Sequence, residues 1–297
     1  MAQNQREVKT RINSVKNIQK ITRAMEMVAA ARLRRAEQRI TALRPYAEAI
    51  RRMTRQAAQA AGAEASRLPL LVEHSSEQRV GLLLVTGDRG LAGAFNSQIV
   101  RAGVRAAADY EAEGRTLHWY ASGRRGVSSL TFRGRTLDGA YTGYTDRPAY
   151  ADARRIADDL MTAYSDDQVD RVEIIYNGYV SPLTQIVRRE TLLPLAQADV
   201  LGGDDEPDSA SRATVDYEPD PEKILRTLVP DYVEISIYRA LLESTASEHG
   251  ARMTAMRSAS ENAGDIITDL TLAMNRARQA EITQEIMEVV AGAEGVS

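Results

Sequence analysis

The chain has 297 residues, a net charge of −3, few aromatics and no cysteine. Without cysteine there are no disulfides, thiolate nucleophiles, iron–sulfur clusters or Cys-type zinc sites, and a near-neutral balance excludes nucleic-acid binding over the whole surface. No run of about 18 apolar residues is present to span a membrane, and the lack of an apolar N-terminal region predicts no secretory signal and a cytosolic residence.

From Met1 to Ala61 there is no glycine, and Pro45 is the only proline. Those residues punctuate helices, so a long helix is expected, with Pro45 as a kink or tolerated bend. Its apolar stripe reads Ile12, Val15, Ile18, Ile21, Met25 and Val28, mostly in steps of three. The same stretch carries fourteen Lys and Arg against four acidic residues, whereas Asp199–Glu222 carries nine acidic residues and one Arg. The basic face (Arg11, Lys16, Lys20, Arg23, Arg32, Arg34, Arg35, Arg39) can be solvated, or can meet an acidic protein surface, nucleic acid or anionic lipid. Aromatics for base stacking are missing from it.

Gly62–Glu77 reads as a polar connector. Arg79–Thr86, Thr116–Ala121, Arg171–Tyr176 and Thr184–Leu193 read as strands, Phe95–Glu111 and Tyr150–Tyr164 as helices, and Asn177–Gly178 as a turn. Strands alternating with helices predict a small Rossmann-like α/β domain with a mostly parallel sheet. Leu201–Pro221, rich in Gly, Asp, Ser and Pro, reads as an exposed acidic flexible loop. Asp220-Pro221-Glu222 reads as a helix start. After a turn or two, Pro230-Asp231 is expected to begin a second long helix, striped by Ile235, Tyr238, Leu242, Met253, Met256, Ala263, Ile266, Leu270, Met274 and Ala277, with a polar stretch at Ser244–Gly250. Neither helix can bury its stripe alone. The predicted fold is therefore mixed: an antiparallel coiled coil of residues 1–61 and 222–297, a central α/β domain at 62–200 and an acidic loop at 201–221.

The Gly87–Gly93 turn sits where a strand meets a helix, the place of phosphate loops, yet its spacing matches neither dinucleotide nor P-loop patterns and no lysine follows. A tight turn is the plainer reading. His74, His118 and His249 are scattered, no GxSxG is present, and the aspartate pairs stand in polar surroundings. No catalytic residue, cofactor site or metal site is therefore expected. A nucleotide-binding enzyme using the Gly87–Gly93 turn and a nucleic-acid adaptor using the basic helix are the rival readings.

Near the far end, Ile282-Thr283-x-Glu285-x-x-Glu288-x-x-x-Gly292-Ala293 resembles the signature of the gamma subunit of F-type ATP synthases. Asn17–Ala31 with Arg44-Pro45-Tyr46-Ala47-Glu48, Asp88-Arg89-Gly90-Leu91 with Asn96, and Ser247-Glu248-x-x-Ala251-Arg252-Met253-x-Ala255-Met256 are similar to the same family, in order along nearly the whole chain. Gly295 departs from the usual small or basic residue, and the regulatory cysteine pair of chloroplast members is missing. The resemblance implies a non-catalytic rotor shaft of a bacterial enzyme, peripheral on the cytoplasmic face of the plasma membrane. It implies that the shaft couples proton flow (sodium in some relatives) to ATP synthesis or hydrolysis. The implied partners are three alpha and three beta subunits, an epsilon subunit and the membrane c-ring, with no nucleic acid. It further implies rotor–stator contacts at Met25, at Arg32, Arg34 and Arg35, which would face an acidic loop of beta, and at Arg278, Gln279, Thr283 and Glu285.

Overall fold

The computed structural model describes residues 5–195 and 221–294. The acidic loop expected at 201–221 lies outside them but for its last residue. Two compact units are present: Ala31–Ala251 forms one, and the chain up to Ala30 with that from Arg252 forms the other. Helix α1 (Gln5–Ala61) and helix α5 (Pro221–Glu294) contribute to both.

In the larger unit the strands are β1 (Arg79–Val85), β2 (Thr116–Ser122), β3 (Leu137–Tyr141), β4 (Arg171–Tyr179) and β5 (Gln185–Leu193). Their spatial order is β3-β2-β1-β4-β5. All neighbours are parallel except β4 and β5, which pair antiparallel. The helices between them are α2 (Phe95–Ala112), α3 (Arg124–Phe132) and α4 (Tyr150–Ser165). Successive side chains of a strand point to opposite faces, so β1 feeds two cores. Leu82 and Leu84 join Phe95, Ile99 and Ala107 of α2 and Leu130 of α3. Leu83 and Val85 join Ile156 and Leu160 of α4, Ile50 and Ala57 of α1, and Val233 and Ile237 of α5. Burial on both faces is why β1 reads as an unbroken apolar run.

Four details differ from the sequence reading. Asn177 and Gly178 are within β4, paired with Val187 and Ile186, and the Asn177 amide donates to the Phe95 carbonyl at 3.2 Å. The turn falls instead at Ser181–Thr184. Helix α5 starts at Pro221 and runs through Pro230, because Leu225, Val229, Val233 and Ile237 bury one continuous stripe on both sides of that proline. Elements α3 and β3 are additional.

Asp170, 2% exposed at its side chain, ties the connector to β4. It accepts the backbone N–H groups of Gln78 and Arg79 at 3.0 and 2.8 Å, the Arg79 guanidinium at 2.6 Å, and a contact from His74 Nδ1 at 3.0 Å. Burial pushes its carboxyl pKa up, but the bonds from Arg79, His74 and the two N–H groups outweigh it and hold the group well below the ordinary carboxylate range.

Helix α1 passes through Pro45, which is exposed, and no α1 residue between Ala36 and Ile50 is buried. Pro45 cannot donate to the Thr41 carbonyl, and no packing of its own offsets that loss. Pro45→Ala should therefore stabilise the chain by about 1–3 kcal/mol. Urea denaturation checks this, and a lowered midpoint would show that the bend is required.

Candidate functional site

In the smaller unit the two helices run antiparallel. The Gln19 amide donates to the Ser260 carbonyl at 3.2 Å, and Arg257 Nε donates to Glu26 Oε1 at 2.9 Å. The α1 residues turned inward are Val8, Ile12, Val15, Gln19, Thr22, Glu26 and Ala29. Their steps of four and three give the 3.5-residue period of a left-handed coiled coil. On α5 the matching line is Arg252, Met256, Ser260, Ala263, Ile267, Leu270, Met274 and Ala277.

This seam corrects the predicted stripe. Val15 and Ile12 are in it, but Ile18, Ile21 and Val28 are 53%, 59% and 54% exposed, and Met25 is half-buried. Each three-residue step advances about 300° around a helix, so Ile21 lies about 180° from Ile12. Polar Gln19, Thr22 and Glu26 close the pair, while an apolar line faces outward. On α5, Ile267 takes the seam position expected of Ile266, which is exposed. Gly264 opposes Gln19: a Cβ there would stand 3.2 Å from its amide nitrogen.

A hydrogen-bonded polar layer in a coiled-coil seam lowers stability and fixes register. Gln19→Leu should stabilise the pair by about 1 kcal/mol while broadening its register. Spin labels on Lys20→Cys and Glu261→Cys, the chain's only cysteines in that variant, report it. An equally narrow distance distribution in Gln19→Leu would refute the assignment.

Beyond Ala277 the described helix is exposed on all sides through Val289. Arg278, Gln279, Thr283 and Glu285 all stand in solvent. The Thr283 hydroxyl donates to the Gln279 carbonyl at 2.9 Å. Ile282, Ile286 and Val289 form an exposed apolar line.

Arg32, Arg34 and Arg35 belong to the larger unit. Arg34 and Arg35 are exposed. Arg32 donates to Asp146 at 2.7 Å, and Arg89 approaches the same carboxylate at 3.4 Å. Burial raises the Asp146 pKa, but Arg32 and then Arg89 overcome it, so the carboxyl titrates below its ordinary value. Of the eight expected contact residues, Met25 lies on α1 beside the seam, one residue from the Glu26–Arg257 pair, Arg278, Gln279, Thr283 and Glu285 lie on the exposed end of α5, and the three arginines belong to the larger unit.

The Gly87–Gly93 turn follows β1 beside the point where the strand order reverses, the usual ligand crevice of a doubly wound sheet. Here α5 fills it. Ser244, Thr245, Ser247, Glu248 and His249 are all buried. Thr245 Oγ1 donates to the Thr145 carbonyl at 2.9 Å and Ser247 Oγ to that of Asn177 at 3.0 Å. A Cβ on Gly87 would meet the Glu248 carboxylate at 2.7 Å. A cavity of about 10 Å³ lies between Thr86, Thr145 and Glu248, room for about one water. Within the turn, the Asp88 carboxylate accepts the N–H groups of Arg124 and Gly143 at 3.0 and 2.9 Å and the Thr145 hydroxyl at 3.1 Å. The turn joins loops to one another, and Glu248 of α5 occupies the space beside Gly87. Asp88, Asp146 and the buried polar run of α5 were invisible as partners in the sequence, because their contacts are 36 to 114 residues away.

Among the described residues no group of three His, Cys, Asp or Glu is placed to hold a metal, and no helix is long and apolar enough to cross a membrane.

The ATP synthase family model matches residues 4–296. The ATP synthase gamma chain of Rubrobacter xylanophilus is 43% identical over 98% of this chain and 98% of its own length. That of Streptomyces avermitilis is 42% identical over 97% and 95%. Among solved structures, a chain from the central stalk and c-ring of the Tetrahymena thermophila mitochondrial ATP synthase is similar, with a TM-score of 0.61 and 26% identity over 81% of this chain and 99% of that one. A chain of the Euglena gracilis mitochondrial ATP synthase in rotational state 3 shares the fold, with a TM-score of 0.67 and 16% identity over 98% and 94%.

Proposed function

The chain belongs to the ATP synthase gamma-chain family, and from that premise we propose that it is a non-catalytic rotating shaft whose outward side chains bias the catalytic subunits of its complex. The observation that carries the reading is an apolar line turned away from the seam. Between Val15 and Ala29 the helix pair closes on Gln19, Thr22 and Glu26 and leaves Ile18, Ile21 and Val28 facing out, the arrangement of a rod built to be gripped by other subunits. A ligand or partner shifts a conformational equilibrium only through differential contact. An uneven shaft supplies that contact, touching each neighbour differently at each angle.

In this reading three alpha and three beta subunits surround the shaft, and the α/β domain meets an epsilon subunit and the c-ring. Met25, Arg32, Arg34, Arg35, Arg278, Gln279, Thr283 and Glu285 touch the stator. The bacterial relatives support a peripheral position on the cytoplasmic face of the plasma membrane. The packing of Glu248 of α5 against Gly87 argues against the rival nucleotide enzyme.

Reconstitution tests the proposal. The chain is mixed with alpha and beta subunits of the same organism, and rotation of a bead fixed to the α/β domain is recorded during ATP hydrolysis. Stepwise unidirectional rotation is expected. An assembled, hydrolysing complex in which the bead does not turn would refute the shaft role.

A further inference from the structure

On the larger unit, α1, the 146–147 loop and α5 border an open-sided cavity of about 540 Å³, within the size range of small-ligand sites. Arg32, Arg35 and Arg39 line it from one face of α1, Arg147 from the loop, and Ala36, Ala42 and Leu242 are its apolar lining. Among the described residues Asp146 is its sole acidic lining residue, and it is already engaged by Arg32 and Arg89. Arg35, Arg39 and Arg147 have no ion pair among the described residues. The cavity therefore holds uncompensated positive charge beside apolar surface, where a guanidinium attracts an anion more strongly than in open water.

We propose that this cavity binds a small anion carrying two or more linked phosphates. Guanidinium groups recognise phosphate oxygens in bidentate pairs. Arg32 and Arg39 are seven residues apart, about 10 Å along the helix, more than one phosphate spans. A pyrophosphate or the tail of a nucleoside triphosphate reaches across several of the four. The lining offers no aromatic face for a base, so recognition rests on the phosphates. An acidic peptide matches the charge but spreads its carboxylates along a chain rather than concentrating them within a recess of this size, and it is the alternative that the test must separate. The site is distinct from the Gly87–Gly93 turn; it shares Arg32 and Arg35 with the proposed stator contacts, so binding is measured on the full chain without partners, where failure of the shaft reading leaves the result unchanged.

Calorimetric titration of the full chain at low salt with inorganic pyrophosphate, ATP, AMP and hexaglutamate is the experiment. Pyrophosphate and ATP should bind saturably at one site, AMP at least about tenfold more weakly. Arg35→Gln/Arg39→Gln should weaken pyrophosphate binding at least about tenfold. Arg34→Gln, which removes an exposed arginine one residue away that does not line the cavity, should change it less than about twofold. Both variants alter half-exposed or exposed side chains, and circular dichroism confirms their fold. An equal loss in Arg34→Gln would reduce the effect to diffuse charge and overturn the site. No saturable pyrophosphate binding, or binding of hexaglutamate in preference to it, would overturn the ligand class.

Discussion

Gly123→Ala is expected to destabilise the α/β domain by at least about 3 kcal/mol. Gly123 joins β2 to α3 at φ 93°, a conformation that disfavours any residue with a Cβ by about 1–2 kcal/mol. The added carbon would also overlap the Thr86 carbonyl, coming within 2.6 Å of its carbon and 2.7 Å of the Thr86 hydroxyl. Neither can give way. The Thr86 N–H donates to the Ser122 carbonyl at 2.8 Å. Its hydroxyl donates to the same carbonyl at 2.8 Å and accepts the Gly126 N–H at 2.8 Å. Overpacking of this kind adds about 1–3 kcal/mol. The measurement is urea unfolding followed by the Trp119 fluorescence, Trp119 being the chain's one tryptophan and buried against β3 and α3. A loss below about 1 kcal/mol would mean that the β1–α3 junction can shift, contrary to the packing described.

That junction also explains what the sequence hid. Strands β1 and β4 were legible because both faces of each are buried and the apolar run is continuous. Helices α2 and α4 showed their apolar faces at helical spacing. Helix α3 is only nine residues long, too short for the spacing of Val127 and Leu130 to repeat. Its first N–H groups are satisfied from outside, by the Asp88 carboxylate at Arg124 and the Thr86 hydroxyl at Gly126, and glycines stand where a helix former is expected. Strand β3 is a short edge whose burial alternates, and Asp138 spends its side chain on the Trp119 N–H at 3.0 Å. The Asn177-Gly178 pair imitates a turn because Asn177 serves α2 and Gly178 makes room for Arg188.

The shaft surface was half legible. Two long helices pairing antiparallel followed from the missing glycines and prolines. The choice of face did not. A count of apolar residues selects Ile18 and Ile21, yet the pair closes through Gln19 and Glu26, whose bonds to Ser260 and Arg257 need the other helix to be seen. Likewise Ser244–His249 read as a weak polar break in a coiled coil, and it is the best-buried polar run of α5 because it docks on loops that are themselves polar. In the sequence Arg32, Arg35 and Arg39 share one basic face with Arg34. Only the positions of Arg147, Asp146 and Leu242 separate them from it.

Asp170→Asn should lower stability at neutral pH by about 3 kcal/mol, and the deficit should shrink in acid. The carboxylate is buried and serves two backbone N–H groups, the Arg79 guanidinium and His74 together. An amide can accept some of those bonds, but it leaves Arg79 without its charge partner and turns its own N–H donors towards groups that also donate. The pH dependence separates the charge from the shape. The folded-state pKa is depressed below the ordinary 3.8, so the unfolded chain takes up the proton first as the pH falls. The stabilisation is complete above about pH 5 and is lost progressively as the pH drops through the ordinary value towards the depressed one. The parent chain should therefore lose urea resistance steeply between about pH 5 and pH 2, and Asp170→Asn should lose less over the same window. With a urea dependence of about 2–3 kcal/mol per molar, the midpoints should differ by about 1–1.5 M at pH 7 and converge in acid. Parallel curves, separated by the same amount at every pH, would mean that the substitution acts through packing and that the Asp170–Arg79 pair does not stabilise the fold by its charge.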